Sequence, residues 1–110
     1  MIGASQGVAS FVHIEDAASA TVTALECAPG PYNIVDDNPS QQRVWLHAFA
    51  RACGAPEPIQ ITEQEALVSS GADSVYYATR LRGAANEKAR HELNFRPRPL
   101  EWLQSRAVPV

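Results

Sequence analysis

The chain has 110 residues, of which 45% are apolar and 19% are charged, a composition typical of a folded domain and not of a disordered segment. No run of about 18 apolar residues occurs, so we expect no membrane span, and residues 1–10 do not have the features of a secretory signal. Two cysteines are too few for a disulfide scaffold, and we expect a cytoplasmic protein.

The formal net charge of −3 is distributed unevenly along the chain. Residues 1–79 carry nine acidic and two basic side chains, whereas residues 80–110 carry seven basic and three acidic ones. This basic segment is suited either to binding a phosphate or to pairing with the acidic remainder of the chain. We expect no nucleic-acid surface, because the chain has one Lys and its aromatic residues are not interleaved with its arginines.

The first predicted elements are a strand and a helix. The sequence VASFVHI at residues 8–14 is β-prone. Asp16 stands where an N-cap belongs, before a helix predicted over residues 17–27. The apolar residues that share one face of this helix are Ala18, Val22 and Leu25.

The middle of the chain predicts a strand, a helix and a further short strand. YNIV at residues 32–35 has little polar alternation, as in a strand that is buried on both faces. Ser40 is the predicted N-cap of a helix that continues to Cys53 and is ended by Gly54. PIQI at residues 58–61 is the third predicted strand.

The next helix is indicated by a capping box that Thr62 and Glu65 form in a T-x-x-E pattern, and we expect it to end at Ser69 or Ser70. After it, VYYAT at residues 75–79 predicts a short extended piece. Residues 80–85 are predicted to form a loop.

The last predicted helix is EKARHEL at residues 87–93, with Asn86 as its N-cap and Asn94 in a left-handed conformation after it. The element order β-α-β-α-β-α-α predicts a small layered fragment of the α/β or α+β class. The predicted division of the chain is a flexible or partly extended start, a single α/β domain and a C-terminal tail, at residues 1–10, 11–103 and 104–110.

We predict no catalytic, cofactor-binding or metal-binding residues in this chain. A Tyr-x-x-x-Lys acid/base pair is absent, because the only Lys is Lys88 and the residue four positions before it is Ala84. The glycines form no G-x-x-G-x-x-G turn for a dinucleotide. The three histidines do not have the spacing of a metal site.

Six basic residues lie close together near the C-terminus: Arg80, Arg82, Lys88, Arg90, Arg96 and Arg98. Arg82 lies in a glycine-containing loop shortly before a predicted helix start at Asn86, where backbone N–H groups favour anions. A guanidinium group is suited to bidentate phosphate binding. Arg82 and Asn86 are therefore the candidate substrate-binding residues, and the alternative is an ordinary solvated surface.

Four blocks of sequence, in this order, resemble one protein family. They are FVHIEDAASA at 11–20, YNIVDDNPS at 32–40, LHAFARACGAPEP at 46–58 and RGAANEKARHELNFRPR at 82–98. Together they resemble the C-terminal part of an NAD-dependent epimerase/dehydratase of the extended short-chain dehydrogenase/reductase family. The resemblance implies a Rossmann-like enzyme in which this region supplies the last strand of the sheet and much of the lid over the substrate, often a nucleotide sugar. Asn94 stands where that family usually has Gly.

The resemblance also implies that the Gly-rich turn and the Tyr-Lys pair belong to a part of the enzyme that this chain lacks. We therefore expect a truncated epimerase/dehydratase-like domain that is inactive alone and binds no cofactor of its own, NAD being the cofactor of the complete enzyme. The alternatives are a stand-alone dimeric interaction module and one half of a split NAD-dependent epimerase whose Rossmann part is a partner chain. Because the surfaces that face the missing part would be exposed, we expect a homodimer through a strand edge or helix faces.

Overall fold

The structure is a computed structural model that describes residues 1–104. The helices are Ile14–Ala24 (α1), Gln42–Cys53 (α2), Glu63–Ser70 (α3), Ala72–Thr79 (α4), Glu87–Glu92 (α5) and Glu101–Gln104 (α6). The strands Val8–Ala9 (β1) and Ser40–Gln41 (β2) form an antiparallel pair in which Val8 lies opposite Gln41. This mixture of helices with a short two-stranded sheet confirms the predicted α/β or α+β class.

The chain forms two compact units, and each is assembled from segments that are distant in sequence. The described residues of the first unit are Met1–Ala9, Ser40–Gly83 and 101–104. The second unit consists of Ser10–Pro39 and Ala84–Leu100. The division into a start, a single domain at residues 11–103 and a tail stays a prediction, and most of the predicted tail, residues 105–110, lies outside the described residues.

In the first unit, backbone hydrogen bonds connect the N-terminal residues to segments that are distant in sequence. The Gly3 N–H donates to the Ile61 carbonyl at 2.8 Å, and the Gly7 N–H donates to the Ala78 carbonyl at 2.9 Å. A Cβ atom on Gly7 would lie 2.7 Å from the Ala78 carbonyl carbon, a distance that real Cβ contacts do not show. The absence of a side chain at Gly7 therefore allows α4 to approach this segment closely.

The helices of the first unit pack through small residues. Ala66 on α3 and Ala78 on α4 are almost completely buried, and Ala48 on α2 is 5% exposed. The short helix α6 packs against α2 through Trp102, whose ring lies edge-on to Phe49 at 5.3 Å between ring centroids. Alanines at these contacts allow the helices of this unit to pack at short distances.

The second unit has its own apolar core, which α1, α5 and the chain after α5 form. The buried residues at its centre are Ala20, Ala89, Leu93 and Phe95. The partly buried residues that pack around them are Val12, Ala24, Cys27, Tyr32 and Ile34. The core thus joins the two segments of this unit, which hold few long-range backbone hydrogen bonds.

Two of the predicted helix caps are wrong. Helix α1 begins at Ile14 with His13 as its N-cap, whose Nδ1 atom accepts a hydrogen bond from the Glu15 N–H at 3.1 Å. Asp16 belongs to the first turn of α1, and its carboxylate accepts hydrogen bonds from Arg98 instead of capping the helix. Ser40 does not cap α2, because it is part of β2 and pairs with Ala9. A distant backbone carbonyl, that of Gly7, accepts the first N–H of α2 in place of a capping side chain.

The predicted strands are mostly wrong. Residues 32–35 form no strand and have no ladder partner within residues 1–104. The strand predicted at residues 8–14 is reduced to Val8–Ala9, and that at residues 58–61 to a single bridge between Ile61 and Ile2. β-propensity produces a strand only where another strand lies beside it, and these segments have little to pair with.

Residues 75–79 are helical, so their predicted extended conformation is wrong. They belong to α4, which starts directly after Gly71, whose φ angle of 91° permits the sharp turn from α3. Packing against α3 overrides the β-propensity of the Val and Tyr residues.

Three local signals are confirmed. The Thr62 hydroxyl accepts a hydrogen bond from the Glu65 N–H at 3.1 Å and caps α3. Gly54 ends α2 in the left-handed conformation with a φ angle of 68°. Asn94, with a φ angle of 53°, has the same conformation after α5.

Candidate functional site

Asn86, one of the two candidate substrate-binding residues, is buried in the second unit, with 8% of its surface exposed. Its side-chain amide donates to the Val35 carbonyl at 2.9 Å and to the Asp37 carboxylate at 2.8 Å. Asn86 holds the N-cap position of α5, but its side chain makes no capping bond. The Asn86 amide therefore connects the start of α5 to the segment that contains Val35 and Asp37.

Asp37 is held from two sides. Arg90 donates from Nη1 to both oxygens of the Asp37 carboxylate, at 2.7 and 2.8 Å. The Asn86 amide and the Arg90 guanidinium together lower the pKa of Asp37. This carboxylate is therefore ionised at neutral pH and anchors α5.

The neighbouring Asp36 is in the opposite environment. It is 2% exposed, and its Oδ2 atom has no hydrogen-bond partner among the described residues. Burial raises the pKa of Asp36, the charge of Asp37 adds to the rise, and the Asn38 and Phe11 backbone N–H groups oppose it. We call Asp36, Asp37, Asn86 and Arg90 the aspartate cluster.

A second contact between distant segments of the same unit is formed by Arg98. Its backbone N–H and its Nε atom donate to the Asp16 carboxylate at 2.8 and 3.1 Å, and its Nη1 atom donates to Glu15 at 3.1 Å. The backbone N–H of Arg98 is the principal cause of a lowered pKa for Asp16. Of the two roles considered for the basic segment, Arg90 and Arg98 therefore have the second, pairing with acidic residues.

Lys88 lies next to a tyrosine, but the pair does not have the character of a catalytic Tyr-Lys pair. The Lys88 Nζ atom is 4.4 Å from the centroid of the Tyr32 ring and donates to the Pro31 carbonyl at 2.9 Å. The Tyr32 hydroxyl donates to the Ala28 carbonyl at 2.7 Å. Burial, and after it the Glu92 carboxylate, raise the pKa of Tyr32, whereas an acid/base tyrosine needs a lowered one.

Arg82, the other candidate, is exposed and belongs to the first unit, where it forms a parallel bridge with Val8. It makes no ion pair within the described part of the chain, in contrast to Arg90 and Arg98. Arg82 belongs to the first unit, whereas Asn86 belongs to the second unit. Their role in binding a substrate stays a prediction.

The second unit contains a cleft of about 110 Å³ that the sequence did not indicate. Its lining residues are Asp16, Ser19, Ala20, Thr23, Leu93, Asn94, Phe95 and Arg96. Sites for drug-sized ligands usually have about 300 to 1,000 Å³, so a nucleotide sugar does not fit in this cleft. The lining of the cleft includes one acidic residue, Asp16, and one basic residue, Arg96.

The connection between β1 and α1 does not have the glycines of a dinucleotide-binding turn. The connection from β1 to α1, residues 10–13, contains no glycine, and a dinucleotide turn at a strand-to-helix junction requires several. Within residues 1–104, no three His, Cys, Asp or Glu side chains are grouped so that they could hold a metal ion.

None of the helices in this range combines the length and the hydropathy that a membrane crossing requires.

Comparison with known proteins finds a partial relative. A curated protein from a Streptomyces species, 3-diazoavenalumate denitrifying reductase, is 38% identical to this chain over 97 residues. The match covers 87% of this chain and 32% of that protein. No protein-family model matches the chain, and no solved structure matches it. The chain is thus similar to a reductase over most of its own length, and it spans about a third of the length of that relative.

Proposed function

We propose that this chain is the substrate-side portion of a reductase-like enzyme of the NAD-dependent epimerase/dehydratase type and is catalytically inactive alone. The observation that carries the proposal is the 38% identity to the Streptomyces reductase over 97 residues. The four blocks that resemble the epimerase/dehydratase family support the finer assignment. The activity of a complete enzyme depends on regions that this chain does not span.

The side-chain chemistry of the chain supports inactivity in isolation. Lys88 is the only lysine, and it contacts a tyrosine whose pKa is raised. The cleft of the second unit is too small for a nucleotide-linked substrate, and the β1–α1 connection does not fit a dinucleotide. These observations argue against an acid/base role for this portion, and we assign it a contribution to substrate contact on other grounds.

Arg82 is the residue that we assign to substrate contact. It is exposed and unpaired within the described residues, so its guanidinium is available to an anionic group of a substrate. Asn86 has an indirect role in this proposal, because its amide holds the Asp37 segment against α5. We therefore assign Asn86 a positioning role in substrate binding.

A chimera tests the proposal. This chain replaces the matching region of the Streptomyces reductase, and consumption of 3-diazoavenalumate, the compound in that relative's name, is measured together with calorimetric binding of nucleotide sugars. We expect Arg82→Ala to raise KM or Kd for the bound substrate by roughly tenfold with cofactor affinity unchanged, as loss of one charge-assisted contact does. Arg51→Ala, a substitution of another exposed arginine, on α2, is the control and should have no effect.

The isolated chain provides the second arm of the test. Calorimetry with NAD should show millimolar binding or none. Micromolar affinity of the isolated chain for NAD would contradict the proposal, as would a chimera in which Arg82→Ala and Arg51→Ala behave alike.

A further inference from the structure

Asp36 is a buried titratable residue that the proposed function does not use. It is 2% exposed, and its Oδ2 atom has no hydrogen-bond partner among the described residues, whereas its Oδ1 atom accepts the Asn38 N–H at 3.3 Å. An ionised carboxylate here leaves a negative oxygen that no donor solvates, so burial favours the protonated carboxyl and raises the pKa of Asp36. The backbone N–H groups of Asn38 and Phe11 oppose this rise, but neither brings a charge.

The charged groups around Asp36 do not compensate its burial. The neighbour on its own segment is Asp37, whose ionised form is stabilised. The cation that α5 supplies is Arg90, and its Nη1 atom donates to both oxygens of Asp37. The Asn86 amide also donates to Asp37, and the charge of Arg96, after α5, acts on Asp37 as well. Ionisation of Asp36 therefore adds a second buried negative charge next to one that already has the nearby donors.

Residues 35–38, which we call the aspartate segment, are attached to the second unit by a small set of polar contacts. The Asp36 N–H donates to the Phe11 carbonyl, and the Asn86 amide donates to the Val35 carbonyl at 2.9 Å. The ion pair of the aspartate cluster is the third contact. Within residues 1–104 no strand ladder holds this segment, so it can detach while the core of the unit stays folded.

We propose that the protonation state of Asp36 controls the attachment of the aspartate segment to α5, which is tight in acid and weakens as Asp36 ionises. Ionisation places an unpartnered charge in a buried position, and detachment of the segment returns that charge to water. Detachment also uncovers the side-chain amide of Asn86, which the segment covers when it is attached. The chain thus has a pH-sensitive contact at the start of α5.

The attached and detached forms of the segment differ in how tightly Asp36 binds its proton. The pKa of Asp36 is raised in the attached form, relative to a value of about 3.9 for a hydrated Asp. The stability that the proton contributes to the attached form is therefore complete below about pH 3.9 and is lost as the pH rises through the raised pKa. Asp37 does not contribute to this change, because its lowered pKa keeps it ionised in both forms above about pH 5.

Hydrogen exchange of single backbone amides, followed by NMR on the full 110-residue chain, tests the proposal. The Asp36 N–H reports detachment of the aspartate segment, since it donates to the Phe11 carbonyl. A peptide of residues 32–40 gives the intrinsic exchange rates at each pH and so corrects for titration of the side chain itself. We expect the opening constant of this amide to rise by at least about fivefold between pH 4 and pH 7. In Asp36→Asn it should stay constant within about twofold, because an amide does not ionise.

Two controls separate local detachment from other effects of pH. Asp73→Asn removes an exposed aspartate on α4 and should preserve the rise. The Leu93 N–H, which donates to the Ala89 carbonyl in the core of the second unit, reports unfolding of the unit as a whole. At each pH its opening constant in the unchanged chain should be at least about tenfold smaller than that of the Asp36 N–H.

Three results would overturn the proposal. The first is an opening constant of the Asp36 N–H that does not change with pH in the unchanged chain, and the second is a rise that Asp36→Asn retains. The third is an Asp36 N–H that opens no more often than the Leu93 N–H, since the segment would then detach only when the unit unfolds. The measurement uses no substrate, so its outcome does not depend on the proposed function.

Discussion

Asp36 and Asp37 are adjacent in sequence, and the fold shifts their pKa values in opposite directions. Asn86 and Arg90 stabilise the ionised Asp37, whereas Asp36 is buried beside that charge with one oxygen unpaired among the described residues. Two identical side chains therefore make opposite contributions to stability at neutral pH. Burial and partners decide this difference, which the residue type alone does not show.

The first prediction concerns Asp36. A carboxyl with a raised pKa in the folded state stabilises that state relatively more at low pH, and this stability is lost as the pH rises through the unfolded value of about 3.9 toward the folded pKa. Because an amide does not ionise, Asp36→Asn removes this pH-dependent loss of stability. We expect the variant to gain on the order of 1 kcal/mol in unfolding free energy, relative to the unchanged chain, between pH 4 and pH 7.

Urea unfolding at both pH values measures the gain. Asn38→Ala is the control, since it preserves the backbone N–H group that donates a hydrogen bond to Asp36. A difference between Asp36→Asn and the unchanged chain that is the same at pH 4 and pH 7 would show that the Asp36 carboxyl is not destabilised by burial.

The second prediction concerns Asp16, whose pKa is lowered by the backbone N–H and the side chain of Arg98. Its contribution to stability is present above the unfolded value of about 3.9 and is lost as the pH falls through the lowered folded pKa. Asp16→Asn should destabilise the chain by about 1.5 kcal/mol at pH 7, and this difference should disappear in strong acid.

Glu15→Gln is the matched control for Asp16→Asn. Glu15 contacts the same arginine, but its side chain is 70% exposed, compared with 13% for Asp16. An exposed pair contributes little, so we expect less than about 0.5 kcal/mol at any pH. Equal effects of the two substitutions in denaturant unfolding would contradict the assigned role of Asp16.

At the scale of elements, the close contact between the N-terminal segment and α4 depends on Gly7. Gly7→Ala places a Cβ atom against the backbone of Tyr77 and Ala78, which cannot move without displacing α4. We expect a loss of about 1 to 3 kcal/mol of unfolding free energy, as for other overpacked sites.

Thermal unfolding measures the Gly7→Ala effect, with Gly54→Asn as its control. No other atoms lie within 4 Å of a Cβ at Gly54, and Asn tolerates the left-handed conformation there. If Gly7→Ala lowered the unfolding free energy no more than Gly54→Asn does, the N-terminal segment would not be closely packed against α4.

For the whole molecule, large apolar side chains are exposed in both units, as Leu25 at 83%, Ile59 at 77% and Val68 at 89% show. We propose that the isolated chain covers such surface by forming a homodimer through several helix faces or strand edges. Light scattering at tens of micromolar should therefore give twice the monomer mass of 11.9 kDa. A monomeric mass at this concentration would be the opposite result.

The candidate site was predicted in part. The sequence indicated Asn86 and the basic cluster, but it did not indicate that Asn86 is buried, that it contacts Asp37, or that Arg98 pairs with Asp16. These contacts join residues that are 49 and 82 positions apart in the chain. No local pattern contains such distances, so they became visible only in the tertiary structure.

The sequence by itself determined the α/β or α+β class, the cap of α3 at Thr62, the end of α2 at Gly54 and the left-handed Asn94. Each of these features depends on steric or hydrogen-bonding preferences within about four residues. Only the tertiary structure decided that residues 32–35 form no strand, that residues 75–79 are helical and that Val22 and Leu25 are exposed. Strand formation and burial depend on what lies beside a segment, and the neighbours of these segments come from distant parts of the chain.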